Sequence, residues 1–153
     1  FTDEEISDIA AYVSTLGAGP SVPDAEYTDG SKGDPGKGGQ IFRVNCAMCH
    51  NVVGAGGALT RGKYAPSLQG VDEKHIYEAM ETGPQNMPVF SDSNIKPEDK
   101  RDIIAYLKTI ENQGSPGGLA LGSLGPVSEG LFIWTAGLAL IIGFMVWLTS
   151  RSS

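Results

Sequence analysis

Two cysteines and a histidine stand together in the segment Cys46-Ala47-Met48-Cys49-His50, and they are the residues best suited to chemistry. The chain contains only these two cysteines. Residues three positions apart on a helix lie on the same face, so both thiols can reach the two vinyl groups of one porphyrin and form thioether bonds. The adjacent His50 is then held beside the porphyrin and can offer its imidazole to the iron. The motif predicts covalent attachment of one haem c.

A zinc site built from Cys46, Cys49, His50 and His75 is the alternative interpretation of the same residues. It would require adjacent Cys49 and His50 to bind one ion, which is sterically poor. Tetrahedral zinc sites usually space their ligands in two separated pairs. The haem interpretation is therefore favoured.

Four residues are candidates for the second axial ligand of the iron: Met87, Met80, Met48 and His75. Met48 lies inside the attachment motif, too close to the first ligand. Met80 falls on the apolar face of a predicted helix, where a thioether usually fills the core, and a lone histidine is more often solvated. Met87 precedes Pro88, which keeps the chain extended and lets the side chain point into a pocket. We therefore expect Met87 to be the ligand. Histidine–methionine ligation suits electron transfer, because it closes the iron to substrates.

A proline in the segment 65–68 is the next candidate for the site. We expect Pro66 to lie beside His50, where a backbone carbonyl can accept the Nδ1–H of the imidazole and fix its tautomer and basicity. An ordinary loop proline is the alternative. No catalytic residue is expected at this site.

Apolar residues at helical spacing predict helices over residues 2–16, 39–50, 72–82 and 97–111. Gly39 and Phe42 on the second helix are expected to pack against Tyr106 and Leu107 on the last, where the two cross. These helices predict an all-α fold.

Two segments, 18–38 and 113–129, are rich in Gly, Pro and Ser, and they are predicted to be linkers because this composition buries little apolar surface. They bound a predicted haem c domain at residues 39–112. The net charge is −7, from 18 acidic and 11 basic residues, which argues against a nucleic-acid partner.

A single C-terminal transmembrane helix is predicted over residues 130–149. Its 19 residues from Gly130 to Leu148 carry no charge, and at ~1.5 Å per residue they span ~28 Å, close to the thickness of the bilayer hydrocarbon. Trp134 and Trp147 lie near its two ends, as interfacial aromatic residues often do. Residues 150–153 would form a cytoplasmic tail. Because c-type haem is attached outside the cytoplasm, the haem domain is expected on the outer, periplasmic side of the plasma membrane.

Five motifs occur in the order found in class I cytochrome c domains. They are Gly39-Gln40-Ile41-Phe42, Cys46-x-x-Cys49-His50, Ala65-Pro66-Ser67-Leu68, Met87-Pro88-x-Phe90 and Ile103-Ile104-Ala105-Tyr106-Leu107. The segment 39–112 therefore resembles such a domain. The resemblance implies a small helical fold around haem c, with His50 and Met87 as axial ligands.

A weak repeat accompanies this domain. Residues 8–13 (DIAAYV) align with residues 102–107 (DIIAYL) at an offset of 94. We therefore expect residues 1–17 to be the closing helix of a preceding cytochrome c-like domain, which would carry a second haem and lie mostly upstream of Phe1. The alternative is that any two amphipathic helices share such a pattern.

The whole arrangement resembles the C-terminal part of the di-haem cytochrome cc subunit of the actinobacterial cytochrome bc1 complex. That resemblance implies a place beside cytochrome b and the Rieske iron–sulfur subunit. Electrons would pass from the Rieske protein of this quinol–cytochrome c reductase to an aa3-type oxidase, through a subunit with no catalytic site of its own. The alternatives are a stand-alone membrane-anchored cytochrome c shuttle and a haem-based sensor, which would need an open or displaceable sixth position.

Overall fold

Helix α1 (Asp3–Ser14) opens the computed structural model, which describes residues 1–114, 117–123 and 125–151. A capping box begins this helix. The backbone N–H of Glu5 donates to Thr2 Oγ1 at 3.2 Å, and the N–H of Thr2 donates to Glu5 Oε2 at 2.8 Å. Every residue of α1 is exposed, including the apolar face formed by Ile6, Ile9 and Val13.

The predicted linker over residues 18–38 is wrong in its second half. Helix α2 (Ala25–Thr28), a 3₁₀ turn (Gly30–Lys32) and helix α3 (Pro35–Asn45) occupy it and pack against helix α6 (Pro97–Gln113). Glycine makes this packing possible. A Cβ on Gly38 would lie only 1.8 Å from the Asp102 carbonyl oxygen. The folded unit therefore begins well before residue 39.

The crossing of α3 and α6 forms the centre of the core. Gly39 lies against the Tyr106 ring, and the Phe42 and Tyr106 ring centroids are 5.5 Å apart. This confirms the predicted packing of α3 on α6. The buried residues of this core are Phe42, Cys46, Ile76, Tyr77, Met80, Ile95, Ile103, Ile104 and Leu107.

Between these two helices the chain is helical only in part. Helix α4 (Ala47–His50) follows α3, and a short antiparallel pair of strands follows it, β1 (Gly57–Ala58) and β2 (Tyr64–Ala65), with a 3₁₀ turn (Thr60–Gly62) between them. The two-stranded hairpin was not predicted.

Helix α5 (Glu73–Thr82) begins at Asp72, whose side chain accepts from the N–H of Lys74, and ends at Gly83 in the left-handed conformation. The chain from residue 83 to residue 95, here called the Met87 loop, then connects α5 to α6. The extended course predicted through Met87 is only partly right, because Gln85 has a φ of +56° and the N–H of Met87 donates to the Pro84 carbonyl, which makes a turn just before Pro88.

The C-terminal helix is longer than predicted. It runs from Pro126 to Arg151 without a break, as α7 (Pro126–Phe132), a π-helical stretch (Ile133–Gly137) and α8 (Leu138–Arg151). Its length and apolar composition are sufficient to cross a membrane. The predicted linker over residues 113–129 is therefore shortened at both ends, because α6 reaches Gln113 and α7 starts at Pro126. Of the predicted tail, 150 and 151 are helical, and 152–153 lie outside the described residues.

Candidate functional site

A cleft of about 380 Å³ lies within the folded unit, and most of its wall is apolar. Helices α3, α4, α5 and α6, the strand β2 and the Met87 loop all contribute to it. Its apolar lining is provided chiefly by Phe42, Leu59, Ala65, Leu68, Ile76, Ala79, Met80, Phe90, Ile103 and Leu107. A cleft of this kind suits a large apolar group with few polar contacts.

Both cysteines line this cleft. Cys46 separates α3 from α4, because its backbone (φ −121°, ψ −34°) leaves helical geometry and lets the chain turn into the second helix. Cys46 is only 8% exposed, Cys49 is half-buried, and they form no disulfide. Burial raises the pKa of the Cys46 thiol to about 11, and the nearby Cys49 adds to the rise.

His50 ends α4 and is held in a defined orientation at the wall of the cleft. Its Nδ1 lies 3.0 Å from the Pro66 carbonyl oxygen. With Nδ1–H donating there, Nε2 carries the lone pair that can bind a metal.

The loop around His50 is fixed by backbone hydrogen bonds, from the N–H of Gly56 to the His50 carbonyl at 2.9 Å and from the N–H of Leu68 to the Gly54 carbonyl at 2.7 Å. Gly56 has a φ of +78°, and a Cβ there would lie 2.5 Å from the Ala65 carbonyl oxygen. Glycine is therefore needed for Pro66 to approach His50.

Of the candidates for a second axial ligand, two sulfurs reach the cleft. Met87 lines it from its loop, half-buried. Met80 lines it from α5 but is only 2% exposed and belongs to the core. Met48 is 84% exposed, and His75 is exposed and not among the lining residues.

The cleft gathers Cys46, Cys49, His50, Pro66 and Met87, the five residues singled out from the sequence. His75, the fourth ligand of the zinc alternative, is not among them. Within residues 1–114, 117–123 and 125–151, no group of three or more His, Cys, Asp or Glu side chains could hold a metal ion. The residues present fit a tethered porphyrin.

One residue beside the site was missed from the sequence. Lys100 on α6 is fully buried, and its ammonium group contacts Glu81 and Asp92 and lies 5.4 Å from the centre of the Tyr77 ring. Its position on the apolar stripe of α6, three and four residues before Ile103 and Ile104, was the available signal, because it places the lysine on the buried face.

The family model for the cbb3-type cytochrome c oxidase subunit III matches residues 33–107. This match starts inside the predicted linker, in agreement with the packing of that segment on α6.

Curated relatives match more of the chain. The cytochrome bc1 complex cytochrome c subunit of Corynebacterium efficiens is 46% identical over 168 aligned positions, which cover 99% of this chain and 56% of the relative. The subunit of the same name in Mycobacterium tuberculosis is 47% identical over 157 positions, which cover 99% of this chain and 56% of the relative. The chain thus spans a little over half the length of these relatives.

Another relative is matched over a larger share of its own length. The cytochrome c-553-like protein of Synechocystis is 36% identical over 84 positions, and the match covers 52% of this chain and 71% of that protein. Together with the cleft and its residues, these similarities show that the chain belongs to the cytochrome c family, whose cofactor is haem c.

Proposed function

We propose that this chain is part of a membrane-anchored c-type cytochrome subunit that relays electrons within a cytochrome bc1 complex. The observation that carries the proposal is the gathering of Cys46, Cys49, His50 and Met87 around one apolar cleft. Similarity over 99% of the chain to cytochrome bc1 complex cytochrome c subunits supports the assembly. The subunit serves a quinol–cytochrome c oxidoreductase and has no catalytic site of its own.

Each residue of the cleft has a separate role in this proposal. Cys46 and Cys49 would hold the porphyrin through thioether bonds, and His50 would offer Nε2 to the iron. The Pro66 carbonyl accepts from Nδ1 of His50 at 3.0 Å, which fixes the tautomer and raises the basicity of the ligand. Met87, which lines the cleft from its loop, would offer its sulfur to the iron.

Haem c, when bound, supplies a centre that gains and loses one electron. The chain controls this centre through its ligand pair and the apolar wall, which excludes water and favours a raised reduction potential. A Met87 sulfur bound to the iron would keep small ligands out. This arrangement suits a relay and disfavours a gas sensor.

The donor in this proposal is the Rieske iron–sulfur protein, and the acceptor is an aa3-type terminal oxidase, with cytochrome b as a neighbouring subunit. The haem domain lies on the outer, periplasmic side of the plasma membrane, and the C-terminus lies in the cytoplasm. The helix Pro126–Arg151 supplies the anchor.

Residues 1–17 are, in this proposal, the closing helix of a preceding cytochrome c-like domain with its own haem. The exposed apolar face of α1 supports this, since the matching positions of α6 are buried in the core. Haem measured per full-length polypeptide tests it. Two haems support the preceding domain, and one haem contradicts it.

Ligation at the site is tested first by haem staining after denaturing electrophoresis. The wild-type chain should keep its stain, and Cys46→Ala/Cys49→Ala should lose it. The second measurement is the rate of carbon monoxide binding to the reduced, haem-stained wild type. If this rate equals that of Met87→Ala, ligation by Met87 is contradicted and the sensor is favoured. Met48→Ala is the matched control, because Met48 is 84% exposed.

A stand-alone shuttle is the second candidate, favoured by the glycine-rich sequence between α6 and α7. Purification in mild detergent separates the two functions. The relay within a complex requires cytochrome b and the Rieske subunit to copurify with the haem-stained chain in constant ratio. Recovery of the chain alone, with electron transfer restored by mixing, would support the shuttle.

A further inference from the structure

A buried lysine stands between helix α6 and the Met87 loop. Lys100 is 0% exposed, and its Nζ donates to Asp92 Oδ1 at 2.8 Å and to Glu81 Oε1. Glu81 lies in the last turn of α5, two residues before the loop begins, and Asp92 lies within the loop. One ammonium group therefore joins α6 to both ends of the segment that carries Met87.

Because the charge of Lys100 is buried, it restrains the position of Asp92. An ammonium group removed from water is costly unless anionic partners satisfy it, so Lys100 holds its two carboxylates in place. Asp92 has a 63% exposed side chain and would be well hydrated without this contact. The lysine therefore draws the loop onto α6, and the adjacent Tyr77 ring, 5.4 Å from Nζ, gives the cation a further favourable contact.

Short-range contacts then carry this restraint to Met87. The N–H of Phe90 donates to the Met80 carbonyl at 2.8 Å, which ties the middle of the loop to α5. The N–H of Met87 donates to the Pro84 carbonyl at 3.0 Å, which closes a turn within the loop. With Asp92 also held, hydrogen bonds restrain the loop on both sides of Met87. The loop can open only if one of these contacts breaks.

We propose, on the basis of the Met87 ligation proposed above, that Lys100 is a positioning residue that holds the Met87 loop closed over the cleft through Asp92. Its function is to suppress loop opening, the motion that would remove the methionine from the cleft and admit an external ligand. Lys100 does not itself touch the cofactor.

The test uses the full membrane protein in detergent and the variants Lys100→Met and Asp92→Ala. Methionine keeps most of the length of lysine without its charge, and Asp92→Ala changes a mostly exposed side chain, which leaves the core intact. Lys37→Gln is the matched control, because Lys37 also bridges α3 to two carboxylates of α6, Asp99 and Asp102, but lies away from the loop.

Two readouts report the loop. One is the rate of carbon monoxide binding to the reduced protein, and the other is the weak charge-transfer absorption of methionine-ligated ferric haem. Lys100→Met and Asp92→Ala should each raise the binding rate by roughly tenfold, because each removes the charged hydrogen bond between Lys100 and the loop. In both variants the charge-transfer band should weaken as the temperature rises. The double variant should bind carbon monoxide little faster than either single variant.

The outcomes separate this inference from the ligation on which it rests. If the wild-type protein keeps its haem stain but lacks the charge-transfer band, the ligation by Met87 fails. If the wild type has the band and both variants bind carbon monoxide at the wild-type rate, the positioning role of Lys100 fails. An equal rise in Lys37→Gln would also overturn that role, because it would reflect general loss of stability.

Discussion

Replacing Gly38 by alanine should disrupt the crossing of α3 and α6 more than alanine at any other glycine of α3. A Cβ at this position would lie 1.8 Å from the carbonyl oxygen of Asp102 and 2.2 Å from its carbonyl carbon. These are backbone atoms in the middle of α6, so no side-chain rotation can relieve the contact. The two helices would have to move apart.

The size of the effect follows from that distance. An ordinary carbon–oxygen contact is above 3 Å, so the helices must separate by roughly 1.5 Å at this point. A gap of 0.5–1 Å already loses about a quarter to a half of a dispersion contact. The side chains that pack here include Phe42, Ile103 and Ile104, all almost fully buried. We expect Gly38→Ala to lower the free energy of unfolding by about 3 kcal/mol or more, at the upper end of overpacking effects.

The assay is urea unfolding of the protein in detergent, followed by the Soret absorbance. Both tryptophans lie in the C-terminal helix, so their fluorescence does not report the haem-binding core. Gly36→Ala is the control, because its Cβ would meet only the Asp34 side chain, at 3.2 Å. It should stay within about 1 kcal/mol of the wild type. A Gly38→Ala variant as stable as Gly36→Ala would refute the close approach of α3 and α6.

Three further predictions concern the same core. Gly83→Ala should lower the stability by about 1–2 kcal/mol and speed carbon monoxide binding, because Gly83 has a φ of +58° and its Cβ would lie 2.8 Å from the Met87 carbonyl oxygen. Unchanged kinetics would contradict this. Asp102→Ala should cost about 2–3 kcal/mol in urea unfolding, because the Asp34 N–H, which donates to Asp102 Oδ1 at 2.8 Å, loses its acceptor. A loss below 1 kcal/mol would argue against that bond. Burial, with Glu81 and Asp92 nearby, raises the pKa of Tyr77 to about 12, so the folded state keeps a proton that the unfolded state releases above pH 10. The free energy of unfolding therefore falls as pH rises from 10 to 12. Between pH 8 and pH 11, the fall measured for Tyr77→Phe should be about 1.4 kcal/mol smaller than the fall measured for the wild type. Equal falls in the two proteins would refute the burial of the phenol.

The attachment motif and its helices were open to prediction because their signals are local. A Cys-x-x-Cys-His segment has few other interpretations, and the apolar stripe of α6 repeats at the helical period through residues 103, 104, 107 and 110. The crossing of Phe42 with Tyr106 also followed from the order of motifs and is present at 5.5 Å. The motif and the period of α6 need no knowledge of distant contacts, whereas the Phe42–Tyr106 contact joins residues far apart in the sequence.

The prediction of a linker was wrong for residues 25–38 because a glycine-rich composition is compatible both with a linker and with closely packed backbone. A segment rich in glycine and proline usually buries little apolar surface. Here Gly30, Gly33 and Gly38 face α6, and a Cβ on each would come within 3 Å of an atom of that helix. Their lack of a side chain serves close packing. Only the position of the distant helix distinguishes this from a linker.

Lys100 was missed for a related reason. A charged residue is normally assigned to the solvated face, and its burial depends on Glu81 and Asp92, which lie 19 and 8 positions away in the sequence. The two-stranded hairpin was also beyond local signals, since each strand has only two residues. In both cases tertiary contacts supplied what the local pattern lacked.

Covalent tethering makes cofactor retention and folding stability separable in this protein. The cleft is lined by a small core, and each helix contributes only a few residues to it, so a single misfit such as Gly38→Ala removes a large share of the stability. In a cytochrome that holds its haem by packing alone, the same change would release the cofactor. If Cys46 and Cys49 hold the haem as proposed, their thioether bonds persist through unfolding, because urea does not break them. Gly38→Ala and Asp102→Ala chains that carry haem should therefore keep the full stain after denaturing electrophoresis. Loss of the stain on unfolding alone would mean that the two thiols are not the attachment points.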